Sequence, residues 1–183
     1  MSQKTRIGLA CVVFLWACQG EAVSGAPSSA SAQSAAASTT AGTPAQNLVN
    51  SYIALQTKLA KDDAAGSKAA YVGLQNALKA KELGLDAATE QKLTSAAAKG
   101  AAASKISEAR SAFAAVSDAM LAYLGSSKNP LGTSLTVAHC PMALDNKGAK
   151  WLQLGENLEN PYFGSEMLRC GTVEKKVQPG KSL

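Results

Sequence analysis

Apolar side chains recur in steps of three and four residues in four stretches between residues 48 and 123. That spacing places them on one face of an α-helix, so each stretch predicts an amphipathic helix. The apolar stripes are Leu48, Tyr52, Leu55 and Leu59; Ser67, Tyr71, Leu74 and Leu78; Leu93 with an alanine run; and Ile106, Ala109, Phe113, Val116, Met120 and Tyr123.

Polar and glycine residues between the stripes predict where these helices begin and end. Asp62-Asp63 offers an N-cap for the second helix, which Gly84 is expected to close. Asp86, with Glu90 behind it, begins the third helix, which runs to Gly100, and the fourth ends at Gly125. Because the connections are short, the sequence predicts that neighbouring helices run antiparallel.

Beyond Asn129 the helical pattern stops and Pro, Gly, Asn and aromatic residues become frequent. Leu135-Thr136-Val137-Ala138 predicts a short strand. Alanine and serine are abundant and aromatic residues make up only 5% of the chain, which disfavours an all-β sandwich. The predicted fold is mainly α: an antiparallel four-helix bundle with a small irregular, β-containing C-terminal segment.

The N-terminus has the pattern of an export signal. Lys4 and Arg6 precede an apolar run over residues 7–16 that is too short for a settled membrane span. Leu15-Trp16-Ala17-Cys18 resembles the bacterial lipoprotein lipobox. The resemblance implies a signal peptide over residues 1–17 and a lipid on Cys18; an uncleaved anchor or an ordinary cleaved signal is the alternative.

The residues after Cys18 predict a tether and then one domain. Residues 18–43 are dominated by Ala, Ser, Thr and Gly, a composition that cannot bury a core. Residues 44–183 form the predicted domain, with its motifs in residues 129–178. Gln19 weakly favours the periplasmic face of the outer membrane over the inner membrane, and the lipid is the expected membrane contact.

Charge and histidine content exclude several classes of function. The net charge of +5 is spread without a clustered basic stripe, so nucleic-acid binding is not expected. His139 is the only histidine, so no multi-histidine metal site can form and one candidate base is left for acid–base catalysis. We therefore expect a protein that is not an enzyme.

Four sulfur-bearing residues stand out in the last third of the chain. Cys140-x-Met142 puts two sulfurs on one side of an extended segment, and Met167-x-x-Cys170 puts two on one face of a helical turn. Thiolates and thioethers are soft ligands that select Cu(I) or Ag(I) over hard ions. One hypothesis is therefore a copper site with Cu(I) as the cofactor.

A structural disulfide between Cys140 and Cys170 is the alternative. Cysteine pairs outside the cytoplasm usually form disulfides. Closing a loop of about 30 residues would stabilise the fold by ~3–4 kcal/mol in the chain-entropy description. The chain would then be a disulfide-stabilised envelope interaction module without metal, docking through the aromatic-rich C-terminal region. Catalysis by Cys140 with His139 is disfavoured because neighbours on a strand point to opposite faces.

The same region resembles a known family. The runs that carry the resemblance are Cys140-Pro141-Met142-Ala143, Gly148-Ala149-x-Trp151-Leu152, Asn160-Pro161-Tyr162-Phe163-Gly164 and Met167-Leu168-x-Cys170-Gly171. They resemble an uncharacterised bacterial envelope domain that also occurs fused to periplasmic adaptor proteins of copper and silver efflux systems. The resemblance extends over about residues 48–177.

The resemblance implies that Cys140, Met142, Met167 and Cys170 are soft-metal ligands, with His139 as an auxiliary ligand or a surface residue. It favours a lipid-anchored cell-envelope protein that binds Cu(I) or Ag(I) and takes part in copper handling or efflux. Its expected partners are copper-efflux or copper-chaperone proteins. Trp151, Tyr162 and Phe163 are expected to cover the sulfur site or to pack it onto the bundle.

Overall fold

Residues 42–183 are described by a computed structural model of the chain. The predicted signal peptide (1–17), the lipidation site Cys18 and almost all of the predicted tether lie outside the described residues. No helix between residues 42 and 183 is both long enough and apolar enough to cross a membrane.

Four long helices occupy the first part of the described chain: α1 (Pro44–Ala60), α2 (Ala64–Leu78), α3 (Ala87–Ala102) and α4 (Ile106–Ser126). The side chains of Thr43, Asp63 and Asp86 cap the first three helices by accepting backbone N–H hydrogen bonds. Each helix packs against the next along the chain, and α4 also contacts α1. The four predicted helices are therefore confirmed.

The apolar stripes form the core of the helical part. All of the stripe residues of α1 and α2 are buried, and Leu93 and Phe113 are fully buried on α3 and α4. Ile106, at the start of α4, is half-buried. Tyr71 crosses the core and donates a hydrogen bond of 2.6 Å to the Ala109 carbonyl. The pattern of the sequence thus predicted the buried faces correctly.

The predicted end of α2 at Gly84 is wrong, because the helix stops at Leu78. The chain then turns back through Glu82, whose φ is 65°. This turn buries the Leu83 side chain, and the Leu83 carbonyl accepts a 3.0 Å hydrogen bond from the Tyr123 hydroxyl. A tertiary contact with α4, absent from the local pattern, ends the helix early.

A small antiparallel sheet follows the helices. Its strands are β1 (Leu135–Cys140), β2 (Ala149–Leu154) and β3 (Thr172–Val177), in the spatial order β2-β1-β3. The predicted strand is confirmed as the start of β1, which extends two residues further. The two outer strands were not predicted as strands. Between β1 and β2 lies a short turn, α5 (Ala143–Asn146), and before β3 a 3₁₀ turn, Gly164–Met167.

Buried hydroxyl groups attach the sheet to the helices. The Lys150 carbonyl on β2 accepts hydrogen bonds from Ser117 (2.9 Å) and Tyr162 (2.7 Å). The Leu152 N–H donates to the Tyr52 hydroxyl at 3.0 Å. The edge of β2 therefore meets the helices without leaving these backbone groups unpaired.

Aromatic rings fill the space beside this edge. Phe113 on α4 lies 5.4 Å from Tyr52 and 5.6 Å from Tyr162, measured between ring centroids. Tyr162 in turn meets Trp151 edge-on at 6.0 Å. The expectation that Trp151 and Tyr162 pack the C-terminal segment onto the bundle is confirmed.

Candidate functional site

Cys140 and Cys170 meet at one end of the sheet. Cys140 is the last residue of β1, and Cys170 lies two residues before β3, whose Thr172 pairs with His139. Antiparallel pairing of these strands brings together two residues that are 30 positions apart in the chain. Their Sγ atoms are 3.0 Å apart, and both side chains are free thiols.

The two thiols differ in their access to solvent. Cys140 is fully buried, whereas Cys170 is half-buried. The contact with the Cys140 sulfur, and then partial withdrawal from water, raise the pKa of the Cys170 thiol above its usual value. Since an ordinary thiol already titrates above pH 8, Cys170 is protonated at neutral pH. Cys170 is the sulfur that a solute reaches first.

Asn160 holds the segment that carries Cys170. This fully buried amide donates a 2.8 Å hydrogen bond to the Cys170 carbonyl and accepts one of 2.8 Å from the Tyr162 N–H. Its backbone N–H donates to the Leu168 carbonyl at 2.8 Å. In the sequence, Asn160 stands out only as the first residue of one family-like run, which assigns it no role. A buried asparagine whose amide satisfies two backbone groups is a positioning residue for Cys170.

Gly171 allows the closest approach between the Cys170 segment and β1. Its φ is 131°, and a Cβ at this position would lie 2.7 Å from the His139 carbonyl oxygen. Any other residue would push the start of β3 away from β1. The glycine that follows Cys170 is therefore a requirement of the backbone at the site.

The two methionines lie in turns, and their role as ligands beside the thiols stays a prediction. The extended segment ends at Cys140, and Met142 lies in the following turn with 47% of its surface exposed, so the prediction of one sulfur-bearing face on an extended segment is wrong. Met167 ends the 3₁₀ turn, and its carbonyl accepts a 3.0 Å hydrogen bond from the Cys170 N–H. Both methionines line one groove of about 580 Å³, whose lining does not include the cysteines.

His139 has its own set of neighbours. As the residue before Cys140 on β1, it projects from the other face of the sheet. Its Nδ1 atom is 3.7 Å from a Glu174 carboxylate oxygen, and the other oxygen of that carboxylate pairs with Lys150 at 2.8 Å. The ligand role of His139 stays a prediction, and its surroundings are those of a partly exposed ion-pair cluster.

The 3₁₀ turn is fastened to the helices by a carboxylate. Asp62 accepts hydrogen bonds from the Ser165 hydroxyl (2.5 Å) and backbone N–H (2.9 Å), and from Arg110 on α4 (2.5 Å). These bonds, those from Ser165 first, lower the pKa of Asp62 to about 2. Only Asp63 of the predicted Asp62-Asp63 cap acts as the cap, with a 2.7 Å bond from the Gly66 N–H. Asp62 connects the α1–α2 loop to the C-terminal segment instead.

A soft metal ion can be tested against this thiol pair. Two thiolates lie about 3.8 Å apart on a tetrahedrally coordinated ion, and up to about 4.6 Å apart when they are its only ligands and bind from opposite sides. The observed 3.0 Å would therefore have to widen by about 0.8 to 1.6 Å, and the thiols are chemically suited to Cu(I). The same separation is about 1 Å longer than a disulfide bond. Among residues 42–183, no group of three or more His, Cys, Asp or Glu side chains is arranged to hold a metal ion.

A comparison with known families identifies the helical part. Residues 48–130 match a family described as "Protein of unknown function (DUF3347)". The matched range runs from the middle of α1 past the end of α4 and stops before β1, so both cysteines lie beyond it. The helical part of the chain is thus similar to this family. No curated protein and no solved structure matches the chain.

Proposed function

We propose that this protein is a lipid-anchored, non-catalytic cell-envelope protein that binds Cu(I) or Ag(I) through Cys140 and Cys170. One observation carries the proposal: strand pairing brings two thiols from distant parts of the chain to an Sγ–Sγ distance of 3.0 Å. Two adjacent thiols could hold one ion after about 0.8 to 1.6 Å of movement, and the softness of their sulfurs favours a soft monovalent ion over hard ions.

The unequal exposure of the thiols supports handling of the metal rather than permanent retention. Cys140 is buried, so it would keep its bond while the half-buried Cys170 exchanges with an incoming ligand. Transfer to a partner would then proceed sulfur by sulfur, without chemistry on the ion. Copper-efflux or copper-chaperone proteins are the partners that we propose for this exchange.

Other parts of the proposal come from the sequence. We propose that the lipobox-like run ending at Cys18 anchors the protein at the cell envelope, and Gln19 favours the periplasmic face of the outer membrane. The motifs after Ala138 resemble those of an envelope domain fused to efflux adaptors, which favours copper among the soft metals. We further propose that the four helices form an antiparallel bundle, since the connection between α1 and α2 is only three residues long.

A disulfide is the second candidate, and the same distance favours it. An oxidant of the oxidising cell envelope would take two electrons from the thiols as their two protons leave, and the sulfurs would move together by about 1 Å to form the S–S bond. In that state the C-terminal segment would be a cross-linked interaction module without a thiol site. The two candidates therefore differ in the oxidation state of one pair of residues.

Cu(I) binding by the full chain in mild detergent tests the proposal. Cys11→Ser and Cys18→Ser should be present throughout, so that Cys140 and Cys170 are the only thiols. We expect the reduced chain to hold one Cu(I) against a competing chelator in native mass spectrometry. Cys170→Ser should weaken this binding by about 100-fold or more, because one of two donors is lost.

Fold and oxidation state are controlled separately. Cys170 is half-buried, so Cys170→Ser should keep the far-ultraviolet circular dichroism of the helices. Ser126→Ala, at the exposed end of α4, serves as a control that leaves binding unchanged. Equal Cu(I) affinity of the reduced chain and the Cys170→Ser variant would refute the thiol site. A pair that is wholly oxidised in cell extracts would favour the disulfide module.

A further inference from the structure

Met142 and Met167 face one groove of about 580 Å³ beside α4, and the thiols do not line it. We infer that this groove is a second soft-metal site, in which the two thioethers bind one Cu(I) or Ag(I) ion independently of Cys140 and Cys170. The inference goes beyond the proposed thiol site and rests on the proposed function only for the choice of metal.

The turn that presents Met142 is strained. Leu144, Asp145 and Asn146 have φ values of 55°, 58° and 64°, three successive non-glycine residues in the left-handed region. Leu144 costs roughly 1–2 kcal/mol in this region, whereas Asp and Asn adopt it more readily than other non-glycine residues. The turn is closed by a 3.0 Å hydrogen bond from the Gly148 N–H to the carbonyl of the fully buried Ala143. The strained residues fix the backbone that follows Met142 and leave its thioether 47% exposed at the groove.

The opposite side of the groove is held just as firmly. Met167 ends the 3₁₀ turn whose Ser165 is bound by Asp62. Arg110 binds the same carboxylate and also donates to the Pro161 and Leu59 carbonyls at 3.0 and 3.1 Å. Both thioethers are thus carried by backbone that is fixed to the fold, and a site of this kind loses little conformational freedom when it binds an ion.

The remaining lining of the groove favours a soft cation. Phe163 offers an aromatic face, which attracts cations. The exposed carboxylates of Asp145 and Glu166 add negative charge, while the charge of Arg110 is offset by Asp62. Thioethers carry no proton at neutral pH and form no disulfide. This groove would therefore keep its ion when the thiol pair is oxidised.

Ag(I), which does not oxidise thiols under these conditions, is the probe for a test by methyl NMR. The chain has four methionines, Met1, Met120, Met142 and Met167, so their ¹³C-labelled methyl groups give a spectrum that can be assigned by substitution. The sample is the full chain in mild detergent with Cys11→Ser and Cys18→Ser, and with Cys140 and Cys170 closed as a disulfide. We expect the Met142 and Met167 signals to shift together and saturate at about one equivalent of Ag(I).

Substitutions separate this groove from the thiol pair. Met142→Leu with Met167→Leu should weaken Ag(I) binding by about tenfold or more, while Met120→Leu in the helical core should leave it unchanged. Cys140→Ser with Cys170→Ser provides a second thiol-free sample. Unmoved methyl signals in both thiol-free samples, with Ag(I) bound by the reduced chain, would overturn this inference and leave the thiol site standing. Shifted methyl signals with no metal on the reduced thiols would support the groove and refute the thiol site.

Discussion

The helical part and the C-terminal segment of this protein are stabilised in different ways. In helices α1–α4, apolar stripes at helical spacing pack against each other, and the polar contributions are mostly caps at helix ends. In residues 129–183, buried amides organise irregular backbone. Asn129 and Asn160 each hydrogen-bond to backbone groups that neither a helix nor the sheet satisfies. The first region depends on a repeated pattern, the second on individual side chains.

The two regions also differ in a second respect: the family match covers the helices, and the candidate metal-binding residues lie in the C-terminal segment. The match to the family of unknown function covers residues 48–130, the helices, whereas both thiols and the methionine groove's sulfurs lie after residue 139. A pattern-based core tolerates many sequences, provided that volume and polarity are kept. A segment held by particular amides and glycines can position a thiol pair, and it is correspondingly easier to damage.

The largest effect should come from the contact that joins the two regions. Phe113→Ala removes a fully buried ring that touches both Tyr52 and Tyr162, so we expect a loss of about 3–5 kcal/mol in the free energy of unfolding. Urea unfolding should be followed by circular dichroism of the helices and by Trp151 fluorescence in a chain carrying Trp16→Phe.

Leu93→Ala is the matched control for this prediction, because Leu93 is fully buried on α3. It should destabilise the helices by about 2–5 kcal/mol and leave the native Trp151 emission unchanged. Phe113→Ala should alter that emission, because Tyr162 lies between Phe113 and the indole. Identical native emission in the two variants would mean that the sheet does not depend on the helices in this way.

A smaller effect is expected from Asn160→Ala. This variant should change both the free energy of unfolding and the accessibility of the thiols, which can be measured separately. Loss of the amide leaves the Cys170 carbonyl and the Tyr162 N–H without their partner, at a cost of about 1–3 kcal/mol. Because the Cys170 segment is then released, alkylation of the reduced thiols should accelerate. Urea unfolding and the rate of thiol alkylation measure the two consequences.

Asn129→Ala is the matched variant away from the thiols. Asn129 is also buried and also binds backbone groups, but these belong to Thr133, Val177 and Leu131. We expect a similar loss of stability, about 1–3 kcal/mol, with no change in the alkylation rate. If both variants accelerated alkylation equally, Asn160 would be a general stabiliser of the segment and not a positioning residue for Cys170.

The smallest effect concerns Asp62, the carboxylate between the regions. Its pKa falls from 3.8 to about 2 in the folded protein, so its charge stabilises the fold above pH 4 and loses this effect as the pH falls from about 4 to 2. Asp62→Asn should cost less than about 1 kcal/mol at pH 7, because the carboxylate is partly exposed to solvent. The free energies of unfolding of Asp62→Asn and of the unaltered chain should converge near pH 2, where the Asp62 carboxylate becomes protonated.

Asp63→Asn provides the comparison for this pH series. Asparagine caps helices about as well as aspartate. The ion pair with Lys58 and the Gly66 N–H also lower the pKa of Asp63, but this pair is exposed, so we expect a smaller pH-dependent difference than for Asp62→Asn. Urea unfolding from pH 7 to pH 2 distinguishes the two positions. A pH-independent difference for Asp62→Asn would show that the charge of Asp62 is not what connects the loop to Ser165 and Arg110.

Particular residues show why some features were predictable. The stripe from Ala109 to Tyr123 repeats over several turns, and Asp63 and Asp86 cap through bonds to N–H groups three residues away. Both signals are local. Asp62 is also an aspartate next to a helix start, but its partners Ser165 and Arg110 are far away in the chain. Local sequence rules therefore do not distinguish it from Asp63. The left-handed turn after Met142 was not predicted, because Leu144 does not favour that conformation by itself.

The sequence by itself determined the four helices, most of their buried faces and the first strand. It also singled out Cys140 and Cys170 as a candidate pair of metal ligands or disulfide partners. Hydrophobic periodicity and capping act within a few residues, so they can be read without knowing the fold. Only the tertiary structure decided that Cys140 and Cys170 meet while Met142 and Met167 line a separate groove. Those relations depend on antiparallel pairing of β1 with β3 and on the contacts of Asp62 and Asn160, which join residues from distant parts of the chain.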